Sequence, residues 1–77
     1  MKVTLSVINR IMKAIAKIEN LDLDSLEYYN DIEGETRYIV RAYNPIDEKT
    51  LFVYITKPCD KYEYDYRFVD GDKSTDY

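Results

Sequence analysis

Paired carboxylates are the groups in this chain that could do acid and base chemistry: Asp22 with Asp24, and Asp70 with Asp72. Such pairs work only inside a water-shielded cleft that drives their two pKa values apart. Histidine is absent, which removes the usual general base at neutral pH and the commonest zinc ligand. Cys59 is the single cysteine, and with no histidine to activate it and acidic neighbours such as Asp60 its thiolate is disfavoured. A structural zinc site is therefore excluded, and a metal would need carboxylates alone, as calcium or magnesium do. The run Asp70-Gly-Asp72-Lys-Ser74-Thr-Asp76 begins like a calcium loop, but Thr75 stands where such a loop requires glycine. These residues point away from an enzyme, and no catalytic residue, cofactor or metal site is assigned.

Recognition chemistry is better represented. Tyrosine supplies nine aromatic residues against two phenylalanines and no tryptophan. It brings large contact area at low entropy cost, with a polar tip, and is enriched at protein interfaces. Tyr62, Tyr64, Tyr66 and Phe68 alternate with Glu63, Asp65, Arg67 and Val69, so they form one side of a strand that suits a core. Nine tyrosines exceed what so small a core needs, and Tyr29, Tyr43 and Tyr54 are expected at the surface as partner-binding anchors.

Charge is segregated along the chain. Lys2, Arg10, Lys13 and Lys17 precede every acid, and the other seven of the 11 bases share the remainder with all 15 acids. Asp60, Glu63 and Asp65, interleaved with tyrosines, are the acidic candidates for contact with a basic surface. Arg10, Lys13 and Lys17 are candidate anion contacts on a helix ridge. Direct nucleic-acid binding through that ridge with Arg37 and Arg41 is an alternative, disfavoured by the acidity of the strand region.

The elements that must position these groups follow from periodicity. Leu5, Ile8, Ile11, Met12, Ile15 and Ile18 recur at helical spacing between Thr4 and Asn20, with Thr4 or Ser6 available as a cap. Residues 24–30 admit two readings, a short helix capped by Asp24 and Glu27 or a strand over Leu26 to Ile32, of which the strand is favoured. A Glu33-Gly34-Glu35 turn, then strands Thr36 to Tyr43, Thr50 to Thr56 and Tyr62 to Val69, complete the pattern, the middle one apolar enough to be central. The expected fold is α+β: an N-terminal amphipathic helix packed on a three- to four-stranded antiparallel sheet, in two layers with one sheet face open. Residues 1–69 form one domain, and 70–77 a flexible acidic tail.

With 77 residues, one cysteine and no long apolar run, the chain reads as a small domain of a reducing cytoplasm. Charge alternating with apolar residues from Met1 to Asn20 does not make a secretory signal. In size and composition the chain resembles small acidic phage-encoded proteins that disable host enzymes or defence systems, anti-CRISPR proteins and other DNA mimics among them. Its nearest local carrier is Asp60-Lys-Tyr-Glu-Tyr-Asp-Tyr66. The resemblance implies an inhibitor that docks on a basic, nucleic-acid-binding surface of a larger protein such as a bacterial defence nuclease. The basic helix departs from a uniformly acidic mimic, and no residue role carries over. A self-associating interaction module, as a homodimer, is the other alternative.

Overall fold

The computed structural model describes residues 1–72, with helix α1 (Leu5–Glu19), a single 3-10 turn (Leu23–Ser25) and strands β1 (Glu27–Tyr28), β2 (Ile32–Glu33), β3 (Tyr38–Asn44), β4 (Lys49–Thr56) and β5 (Glu63–Asp70). Thr4 starts the helix in an extended conformation, its Oγ1 accepting from the Val7 amide at 3.4 Å. Asn20 ends it at φ 56°, a left-handed position that asparagine tolerates, and the amides of Asn20 and Leu21 both donate to the Ala16 carbonyl.

The sheet is an antiparallel meander in the order β1-β3-β4-β5, with β2 continuing the β1 side of β3. The α+β expectation holds, with five strands in place of three or four. The extra strand comes from a break in the first rail. Tyr28 pairs with Ala42 and Ile32 with Ile39, so the edge advances four positions while β3 advances three. One surplus residue makes a β-bulge, and the continuous Leu26 to Ile32 strand is corrected to two short pieces. The competing helix survives as one turn, capped by Asp22 rather than Asp24: Asp22 Oδ1 accepts from the Asp24 amide at 3.1 Å and Oδ2 from Ser25 Oγ at 3.0 Å. Between β2 and β3 the Gly34 amide donates to the Arg37 carbonyl, and a Cβ on Gly34 would sit 2.9 Å from that oxygen, so glycine is required.

Ile8, Ile11, Met12 and Ile15 of α1 close on Tyr38, Val40 and Ala42 of β3, and on Leu51, Val53 and Ile55 of β4, with Leu26 at the margin. Tyr62, Tyr66 and Phe68 pack partly buried against this core, Tyr66 meeting Phe68 edge to face and donating to Glu19 Oε2 at 3.0 Å. Tyr64 is more exposed, so the tyrosine stripe is only in part a core stripe. No helix among the described residues is long and apolar enough to cross a membrane.

Asp70 and Gly71, expected in the flexible acidic tail, are instead part of the sheet and its closing turn. Asp70 closes β5 opposite Lys49, the Gly71 amide donates to the Glu48 carbonyl, and Thr50 Oγ1 donates to the Gly71 carbonyl at 2.7 Å. Gly71 turns at φ 79°, which glycine accepts without strain. Residues 73–77 of that expected tail, Ser74 and Asp76 among them, lie outside the described residues.

Candidate functional site

α1 covers one face of the sheet, and the other face carries five of the six side chains expected to bind a partner: Tyr29, Tyr43, Tyr54, Glu63 and Asp65. Strand register sets them in rows. Glu27, Tyr43, Thr50 and Val69 lie across one end. Arg41, Phe52 and Arg67 form the next row, with Tyr29 beside Arg41 because the Tyr29 N–H donates a hydrogen bond to the Arg41 carbonyl. Ile32, Ile39, Tyr54 and Asp65 form the third, and Thr56 with Glu63 the far end.

The centre of this face is built on arginine and aromatic rings. The Arg67 guanidinium lies 5.0 Å from the Phe52 ring centroid and 5.9 Å from that of Tyr54, and its Nε donates to Tyr54 Oη at 2.9 Å. Arg37 lies over the same Tyr54 ring at 5.3 Å. At these distances a cation is attracted by the ring's negative face, and a planar guanidinium also stacks. Phe52 is thereby fully buried on a face with no second layer of secondary structure. Arg41 Nη2 donates to the Asn30 carbonyl at 2.6 Å, clamping the bulge to β3.

Acids surround this centre. Tyr29 donates to both carboxylate oxygens of Asp72, at 3.0 and 2.9 Å. Partial burial, then the charges of Glu48, Asp72 and Glu27, hold the Tyr43 phenol above its usual range. Glu63 and Asp65 are exposed along β5. Asp65 Oδ1 also accepts from the Tyr66 amide at 2.9 Å, so this carboxylate covers a backbone donor on the outer strand.

Of the expected partner-binding set, Tyr29, Tyr43, Tyr54, Glu63 and Asp65 thus share the open face, and the three tyrosines are half-buried rather than free. Asp60 stands apart in the exposed β4–β5 loop. Arg10, Lys13 and Lys17 are exposed on α1, in the opposite layer from Arg37 and Arg41. Sequence reasoning missed Arg67 and Phe52. Their signal was there in the alternation that puts Arg67 with Glu63 and Asp65, but only the register that sets Phe52 against both Arg41 and Arg67 joins them.

Of the two carboxylate pairs, Asp22 holds the 3-10 turn and Asp72 accepts from Tyr29. Among the described residues no group of three or more His, Cys, Asp or Glu converges as metal ligands would. Comparison with protein-family models, with curated proteins and with solved structures returned no match.

Proposed function

We propose that this protein is a non-catalytic binding module whose open sheet face docks on a basic, nucleic-acid-binding surface of a larger protein and inhibits it there. The observation that carries the reading is the composition of that face: Tyr54, Arg37, Arg41 and Arg67 at the centre, Tyr29 and Tyr43 beside them towards one end, and Glu27, Glu63, Asp65 and Asp72 around them. Tyrosine and arginine are the residues that most often dominate binding energy at protein interfaces. The rim carboxylates supply long-range attraction to a basic partner and occupy the positions that phosphates would take. The net charge of −4 supports the same direction of attraction.

The test is capture from bacterial lysate at low and high salt, comparing the wild-type chain with Tyr54→Ala and with Glu63→Lys/Asp65→Lys. A nucleic-acid-handling protein retained by the wild type, weakened by salt and lost with either variant is the expected result. Retention of the same proteins by both variants overturns the reading.

The two arginines over aromatic rings, Arg37 and Arg67, favour a second reading, direct binding of single-stranded nucleic acid by stacking. It predicts saturable binding of a labelled oligonucleotide that falls with Arg37→Ala and Arg67→Ala. The acids at both ends of the face weigh against it.

A further inference from the structure

On the helix side of the same edge, α1 and the bulge leave a groove of about 440 Å³. Ile8, Met12 and Val40 line its depth, and Leu5 and Tyr28, 70 % and 50 % exposed, form its lips. The bulge brings Asp31 to the rim, where its Oδ2 accepts from the Tyr38 hydroxyl at 2.5 Å. The two walls differ in charge: on the bulge side, between Ile18 and Thr36, stand Glu19, Asp22, Asp24, Glu27, Asp31, Glu33 and Glu35 with no lysine or arginine, whereas α1 brings Arg10 and Lys13 and no acid before Glu19.

We propose that this groove receives an apolar side chain from a lysine- or arginine-rich segment of a partner protein. Apolar depth calls for a leucine-, methionine- or phenylalanine-sized anchor, and the thioether of Met12 adapts to different shapes. The acidic bulge wall, with Asp31 at the rim and Asp24 acting on Tyr28, selects a basic flank on that side and disfavours phosphate, so a nucleic acid or an anionic membrane fits it less well. The bulge matters as well. It interrupts the edge ladder, so the occupant enters by its side chains and not as an added strand. This goes beyond the open-face reading, since Val40 faces the helix layer while Tyr54 and Arg67 face away from it.

The probe is a synthetic amphipathic peptide of leucine and lysine, with its leucine and glutamate counterpart as control, titrated into the labelled protein while methyl NMR signals are followed. Saturable shifts at Ile8, Met12 and Val40 are expected with the lysine peptide alone. Leu5→Asp, at an exposed lip that leaves the core intact, should weaken binding by at least about tenfold, whereas Tyr54→Ala on the open face should leave it unchanged. Shifts confined to the open face, equal binding of the glutamate peptide, or full affinity in Leu5→Asp each overturn the proposal. None of these results bears on the lysate experiment, whose variants lie on the other side of the sheet.

Discussion

Arg67 touches two rings of the open face at once, and its value to the fold exceeds that of an ordinary exposed charge. Replacing it with alanine uncovers Phe52 and removes the partner of Tyr54 Oη. The expected loss is about 1–2 kcal/mol in urea unfolding, and Arg67→Lys should recover little of it, because an ammonium lacks the planar fork. A double-mutant cycle with Tyr54→Phe should show positive coupling; strict additivity would mean that the two side chains do not cooperate. Tyr38 gives a pH signature. Burial first, then the hydrogen bond to Asp31, pushes its phenol from 10.0 up to about 12. Below pH 10 both folded and unfolded chains keep that proton. Between 10 and about 12 only the unfolded chain releases it, so this residue's contribution to stability is complete below 10 and disappears as pH rises through the folded value. Unfolding midpoints followed across that window should fall less steeply in Tyr38→Phe than in the wild type, against a background from Tyr28, Tyr43 and Tyr66, which are raised too.

Among the elements, the outer strand β5 is the exposed liability. Eight residues present an unpaired side, and the chain meets this with Glu63, Asp65, Arg67 and Asp70. Asp65 goes further by accepting the Tyr66 amide. Asp65→Ala frees that donor and removes a charge, and concentration-dependent association should appear in sedimentation. Asp65→Asn keeps an acceptor oxygen and should remain closer to wild type, which separates edge protection from charge alone. The opposite edge explains why part of the fold was hard to read from sequence. Helix α1 and strands β3, β4 and β5 were legible because Ile8, Ile11, Met12 and Ile15 repeat every three or four residues, Tyr38 to Asn44 is rich in β-branched and aromatic residues, Lys49 to Thr56 is a nearly continuous apolar run, and Glu63 to Asp70 alternates. Residues 24–30 give no period of either kind. Their form is decided by contacts distant in sequence, namely Arg41 on the Asn30 carbonyl and Tyr38 on Asp31, which pull out the surplus residue. A two-residue strand beside a bulge has no local signature that could report this.

At the scale of the whole molecule, a basic helix layer backs a sheet with an acidic perimeter, as the separation of Arg10, Lys13 and Lys17 from the acids foretold. The candidate site was half legible. Tyr29, Tyr43, Tyr54, Glu63 and Asp65 could be chosen by residue type, yet the arginine centre depends on which residues of three different strands stand in one row. Asp60 was chosen for its neighbours in sequence, and the β4–β5 loop carries it off that row. The meander order has a further consequence. Every hairpin from β3 onward joins strands that are consecutive in the chain, so each new pairing closes only a short loop on the one before it. Little chain entropy is lost before contacts repay it, and refolding from urea should be a single exponential on the order of milliseconds. In that sequence of events α1, first in the chain, is the element that must wait: its apolar stripe has nothing to settle on until β3 and β4 have paired, so substitutions at Ile11 or Ile15 should speed unfolding more than they slow folding.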